Sequence, residues 1–213
     1  RVSEKLSAVR GIFIHTWNGD CSYCFNISLC TVCTGDMIMT QQDLFFMKQA
    51  LALAQEAALL GEVPVGAVIV QDGKVVATGF NRRELDKNAL RHAEILAIEQ
   101  ACEILGGWRL PRCTLYVTLE PCPMCMGAII NARIDRVVFG AYDPKAGCCG
   151  SVLDLMAFPF NHKAQIEGGV LEGECAQKLK DFFSCLRKKR KNDKNVSDTT
   201  TKNEGFSSHT CKF

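Results

Sequence analysis

An α/β domain is predicted for residues 39–191, on three observations. Apolar residues recur at helical spacing in several long segments. Five shorter runs are rich in Val, Ile, Thr and aromatic residues and are bounded by turn formers. From residue 74 onward the two kinds of segment alternate, as they do where helices pack against a sheet.

The first helix is expected over 41–60. Thr40 is placed to cap it, with Asp43 three residues on as in a capping box. Leu44, Met47, Leu51, Ala54 and Ala58 form its stripe, and Gly61 ends it. Residues 65–70, Val-Gly-Ala-Val-Ile-Val, read as a strand; Asp72-Gly73 is a hairpin signal, and 74–81 returns as a second strand. Asn81 ends that strand, where a lone Asn is most often a turn residue. Residues 82–88 are a charged loop. The second helix starts at Ala89 or His92 and runs to Leu105, stopped by Gly106-Gly107.

Residues 113–119 form the third strand. Pro121 and Pro123 then favour a helix start, because Pro is tolerated in a first turn, and this third helix continues to about Arg133. A fourth strand follows at 135–140, then a turn-rich loop at 143–151 whose Cys148-Cys149 pair receives no role. One helical turn is expected at 153–156 and a fifth strand at 165–170, broken by Gly168-Gly169. The last helix spans 172–191, with Cys175, Leu179, Phe182, Phe183 and Leu186 on its apolar side. Residues 192–213 are polar and expected to be disordered.

Composition narrows the class. A hydrophobic share of 47% and a charged share of 23% are those of a soluble globular protein, and a net charge of +2 announces no nucleic-acid partner by itself. No stretch is long enough to span a membrane, and no secretory signal is evident. Thirteen cysteines, an odd number, cannot all pair internally, so a reducing cytoplasm is expected. Residues 1–38 show no sustained period and begin with Arg1, while Met37 and Met39 stand just ahead of the first helix. They are expected to be a disordered or artefactual extension. Cys21, Cys24, Cys30 and Cys33 lie within it as C-x2-C-x5-C-x2-C, and a spacer of five is far below the roughly 15–20 residues of a zinc ribbon. No second metal is expected there.

Chemistry concentrates in His92-Ala93-Glu94 and Pro121-Cys122-Pro123-Met124-Cys125. One His and two Cys supply three ligands for a tetrahedral zinc, leaving a fourth position open to water, which marks a catalytic site. Glu94, two residues from His92, suits proton transfer beside such a metal. Residues i and i+2 point roughly 200° apart on a helix, so His92 and Glu94 serve one site only over a first turn. Cys122 and Cys125 share a face at another helix start, where the dipole and free N–H groups favour thiolates. Two helix starts are therefore predicted to converge on one ion.

The pattern H-x-E…P-C-x-x-C is the signature of zinc-dependent nucleobase deaminases. Arg91-His92-Ala93-Glu94-Ile95, the run from Thr114 to Cys125, Arg136-Val137-Val138-Phe139-Gly140 and Asp181-Phe182-Phe183 carry a closer likeness. Over about residues 40–191 the chain resembles the bacterial tRNA-specific adenosine deaminases, of the cytidine-deaminase-like superfamily. The resemblance implies a three-layer α-β-α fold with a mixed five-stranded sheet, and a homodimer whose two subunits build each RNA site. It implies one Zn2+ per subunit on His92, Cys122 and Cys125, with Glu94 as proton shuttle. It implies that Asn81 holds the target nucleoside, and that Phe182, Phe183 and Arg187 of the last helix touch RNA. The expected reaction is hydrolytic deamination of the wobble adenosine in a tRNA anticodon stem-loop, giving inosine. Arg91 stands where Ala often precedes the motif His, and Met126 where a small residue is common; neither is expected to stop zinc binding, and Arg91 is expected to alter the pocket rim or the neighbouring loop.

Arg187-Lys188-Lys189-Arg190-Lys191 would by itself be a solvated helix end as readily as a phosphate contact; beside the deaminase motif, RNA is favoured. The alternative enzyme is a deaminase of a free base or nucleoside such as guanine, which has no need of a basic terminal helix. A non-catalytic zinc-stabilised RNA-binding module is the other alternative, and Glu94 argues against it.

Overall fold

The computed structural model describes residues 40–199, the last six by backbone alone. The cysteines of the first 38 residues and the end of the tail lie outside the described residues. Helix α1 (Gln41–Leu59) opens with Thr40 and Asp43 in a reciprocal capping box, as the local sequence predicts. Strands β1 (Gly66–Gln71) and β2 (Lys74–Phe80) form a hairpin. Its two turn residues, Asp72 and Gly73, both have positive φ (49° and 75°), the type I′ geometry that matches strand twist. There follow α2 (Ala93–Leu105), β3 (Cys113–Leu119), α3 (Pro123–Ala132), β4 (Arg136–Ala141), a 3-10 turn at Leu155–Ala157, β5 (Gln165–Glu167) and α4 (Glu172–Thr199).

The sheet order is β2-β1-β3-β4-β5. The β2–β1 and β1–β3 pairs are antiparallel; β3–β4 and β4–β5 are parallel. The sheet is mixed because a two-residue turn joins β1 to β2, whereas α3 carries the chain over between β3 and β4. Alternating side chains divide the core between its faces. Ile69, Leu115, Val117, Val137 and Phe139 pack with Ala97 and Ala101 of α2 and Ile129 of α3. Val68, Val70, Tyr116 and Val138 pack with Phe46, Met47 and Ala50 of α1 and Cys175 of α4. The result is three layers. Across the second face Arg136 pairs with the buried Asp43 at 2.7 Å, and Tyr116 donates to the same carboxylate at 2.9 Å, joining α1, β3 and β4.

Helices α1 and α2 approach the sheet at glycines. A Cβ on Gly66 would stand 2.1 Å from the Ala50 carbonyl, and one on Gly79 would stand 2.3 Å from the Ala93 carbonyl. The second contact seats the first turn of α2 directly on β2. The structure also revises some expected boundaries. Strand β5 stops at Glu167, because Gly168 abuts the Phe139 ring and Gly169 turns the chain with φ 86°. Helix α4 continues eight residues beyond Lys191 to Thr199, so the tail expected from 192 onward starts as helix. No helix among the described residues is long and apolar enough to cross a membrane.

Candidate active site

His92 does not belong to α2; it caps it, in extended conformation (φ −80°, ψ 153°). Cys122 caps α3 in the same way (φ −76°, ψ 173°), with Pro123 opening the first turn. The predicted meeting of two helix starts is present. His92 Nδ1 lies 3.7 Å from Cys122 Sγ and 3.5 Å from Cys125 Sγ, and the three donor atoms all lie within 4.8 Å of one another. This group could hold a metal ion.

Electrostatics at the triangle are uneven. The hydrogen bond from Cys125, helped by His92, pulls the Cys122 thiol down to about 4. The same contact pushes Cys125, which is fully buried, upward. Cys122 in turn raises the pKa of His92. Glu94 stands in the first turn of α2 and is 4% exposed. Burial lifts its carboxyl to about 7, the range in which one group both takes and returns a proton at neutral pH.

His92, Glu94 and Cys122 open into a cavity of about 720 Å³, a size suited to a small organic ligand. Val63, Val65 and Leu119 give it apolar lining, residues Tyr142 to Ala146 line it from the loop after β4, and Lys180, Phe183 and Arg187 line it from α4. Asn81 is also at the cavity, 5% exposed, with its Nδ2 donating to Glu62 Oε2 at 3.0 Å. Phe182 is not among the lining residues: it is 5% exposed and meets Phe183 edge to face, at 5.5 Å between centroids. Of the two adjacent rings, only Phe183 has surface at the cavity. Arg91 is likewise absent from the lining. It pairs with Glu99 at 2.6 Å and Asp86 at 3.7 Å, tying the loop before α2 to that helix. Met126 is fully buried in the core, with Cys149 Sγ 3.6 Å from its sulfur.

Sequence reasoning missed two buried acids and three cations. Glu120 is 2% exposed and accepts from the main-chain N–H groups of Asp143 (3.0 Å), Cys149 (2.8 Å) and Ser151 (3.1 Å), and from the Ser151 hydroxyl. It thereby anchors the loop that lines the cavity. Glu62 is fully buried behind Asn81. Arg83, Lys145 and Lys180 join Arg187 around the cavity. Positions 180, 183 and 187 are spaced as one helical face, so periodicity alone would have drawn Lys180 to Phe183 and Arg187.

Comparison with known proteins agrees with this geometry. Residues 39–187 match the model of the MafB19-like deaminase family. The tRNA-specific adenosine deaminase of Bacillus subtilis (strain 168) is 51% identical over 154 residues, 72% of this chain and 95% of that one. The enzyme of the same name from Haemophilus influenzae (Rd) is 42% identical, covering 74% of this chain and 92% of its own. A solved structure from studies of A-to-I editing by tRNA:A34 deaminases at the wobble position superimposes with a TM-score of 0.62. It is 46% identical and is covered over 99% of its length by 63% of this chain. With its donor triangle, its buried acid and these relatives, the chain belongs to the tRNA-specific adenosine deaminase family.

Proposed function

We propose that this chain deaminates adenosine to inosine at the wobble position of a tRNA anticodon. The observation that carries the reading is the His92, Cys122, Cys125 triangle beside a buried Glu94, in a cavity surrounded by Arg83, Lys145, Lys180 and Arg187. The named relatives support both substrate and reaction.

Zinc is the metal we infer. Tetrahedral zinc with one nitrogen and one sulfur ligand at normal bond lengths separates the two donors by about 3.6 Å, and His92 Nδ1 lies 3.7 and 3.5 Å from the two sulfurs. Three protein donors are also the set that a catalytic rather than a structural zinc takes. When bound, zinc supplies the Lewis acidity that makes water a nucleophile near neutral pH.

The chain's own residues supply the rest. Glu94 takes the two protons of the attacking water in turn, passing the first to the purine ring nitrogen and the second to the departing amine. Water and adenosine become inosine and ammonia, with Glu94 returned to its starting state. Val63, Val65 and Leu119 offer apolar surface to the faces of a purine, and Asn81 offers it an amide. A base must be unstacked to reach the buried Glu94, and an anticodon loop presents such bases. The surrounding cations suit the phosphates on either side of that base. A homodimer in the cytoplasm belongs to the same reading, and exposed Val152, Leu153, Phe158 and Phe160 give such a dimer apolar surface.

Incubating the purified chain with whole tRNA, an anticodon stem-loop and free guanine tests this. Inosine at the wobble position, read as A-to-G on sequencing, is expected from the first two. Turnover of guanine alone would reject the proposal. Glu94→Gln should keep one metal per chain and lose about 10²–10⁴ in kcat.

A further inference from the structure

Glu62 lies in the turn between α1 and β1, fully buried, outside the metal triangle and outside the cavity lining. Both of its carboxylate oxygens are engaged. Oε2 accepts from Asn81 Nδ2 at 3.0 Å, and Oε1 accepts from the main-chain N–H of Leu85 at 2.7 Å. A buried acid persists in a core only when its oxygens are hydrogen-bonded. The two contacts reach different parts of the site. The first holds the amide of Asn81, which lines the cavity with Glu94 and His92. The second holds residues 82–91, the loop that brings Arg83 to the same cavity and ends at His92.

We propose that Glu62 is a positioning residue for the deamination: it fixes which edge of the Asn81 amide meets the nucleoside, and it locks the neighbouring loop in register with that choice. A carboxylate at this place can accept from Asn81 but cannot donate to it. One Asn81 N–H is therefore committed to Glu62, and its carbonyl oxygen and other N–H remain for the substrate. Glutamine in place of Glu62 would have one acceptor for two donors. The Leu85 N–H has no freedom to turn, so the new amide would meet Asn81 with N–H groups and turn the Asn81 side chain over. The inference rests on the proposed reaction and adds to it a residue that reaches the nucleoside only through another.

The test is a cycle of E62Q, N81A and the double variant, measured as kcat/KM on tRNA, with Tm and metal content for each. E62Q is expected to lose about 10- to 100-fold in kcat/KM, with one metal per chain retained. In the N81A background the same change is expected to cost almost nothing, because the group it positions is gone. A second pair asks the question from the other side. N81D sets two carboxylates together, and adding E62Q supplies the missing donor, so the double variant is expected to exceed N81D alone in both Tm and kcat/KM. Losses that multiply in the first cycle, an E62Q enzyme as active as the unaltered chain, or no recovery in the second pair would each overturn the inference. The unaltered chain, assayed alongside, separates the two claims. No inosine from it defeats the functional reading and this inference together; inosine from it with multiplying losses defeats this inference alone.

Discussion

Glu120→Gln tests how the loop that lines the cavity with Glu94 is held. Glu120 gathers four donors on two oxygens: Cys149 and Ser151 N–H on Oε1, Asp143 N–H and the Ser151 hydroxyl on Oε2. Glutamine fits the same space with one acceptor. If its oxygen takes the Cys149 and Ser151 N–H groups, its own NH2 faces the Asp143 N–H. The Ser151 hydroxyl can rotate to accept; the Asp143 N–H cannot, and is left without a partner. A buried donor in that state costs about 1–3 kcal/mol, and loss of charge from the remaining bonds adds about 1 kcal/mol. For a domain of this size the sum, about 2–4 kcal/mol, lowers Tm by roughly 5–15 °C. The effect should depend on pH with a definite sign. Burial pushes the Glu120 carboxyl up, but the bonds from Ser151, Asp143 and Cys149 outweigh it and hold the group below its ordinary 4.5. A depressed acid stabilises the fold above its unfolded pKa and stops doing so as pH falls through the folded value. Scanning calorimetry should find the full gap between wild type and E120Q at neutral pH, and a shrinking gap below about 4.5. Because Asp143 to Ala146 line the cavity, kcat/KM should fall as well, with metal content unchanged. Equal Tm values at pH 7, or a gap that widens on acidification, would refute the reasoning.

Three other outcomes are expected. Stripping the metal with a chelator should abolish deamination and lower Tm, and zinc should restore both; metal at 100 times its Kd contributes about 2.7 kcal/mol to the fold, and a Tm indifferent to zinc would contradict the site. Lys180→Glu and Arg187→Glu, both on the exposed side of α4, should leave Tm nearly constant while raising KM for tRNA, and each should reduce the slope of log KM against log salt by about 1; an unchanged slope would remove these cations from the RNA contact. Gly79→Ala would set a Cβ 2.3 Å from the Ala93 carbonyl and 2.8 Å from the Ala97 nitrogen. Strand β2 and helix α2 must then part, at about 1–3 kcal/mol, and zinc affinity measured by competition should weaken as His92 and Glu94 move with the helix.

What the sequence revealed, and what it hid, follows the range of the interactions. The capping box of Thr40 and Asp43 spans three residues, so local pattern suffices to find it. The His92, Cys122, Cys125 triangle is legible for a similar reason: each half of it is a short motif, and few other arrangements use His-x-Glu with Cys-x-x-Cys. Glu62 and Glu120 act on partners 19 to 31 residues away; Glu120 stands inside the Thr114–Cys125 run, but nothing local to either acid shows what its oxygens hold. Phe182 and Phe183 show the limit of helical phase. One residue turns the ring by roughly 100°, enough to bury the first at 5% and leave the second at 40% exposed. The end of β5 depends on the contact of Gly168 with Phe139, on the neighbouring strand β4 and 29 residues back in the chain. Residues 192–199 lack apolar periodicity, yet they extend a helix already nucleated, which takes far less than starting one.

The cap positions explain why the site looks built for reaction and not for stability. A helix start favours Ser, Thr, Asp or Asn, whose oxygen occupies a free N–H; replacing such a cap costs about 1 kcal/mol. Helices α2 and α3 have His92 and Cys122 there instead, and neither has a side-chain oxygen to make such a cap. Two first turns are thus left with their positive ends toward one place, which favours the Cys122 thiolate. A site meant only to hold the fold together would close on a fourth donor. Here the group within mutual reach has three donors among the described residues, and the nearby acid, Glu94, lies outside it, buried and lifted to about 7. Burial of an acid without a ligand's role opposes stability, and proton transfer is the chemistry that gives such a group a function. That combination argues against the reading of a non-catalytic, zinc-stabilised RNA-binding module.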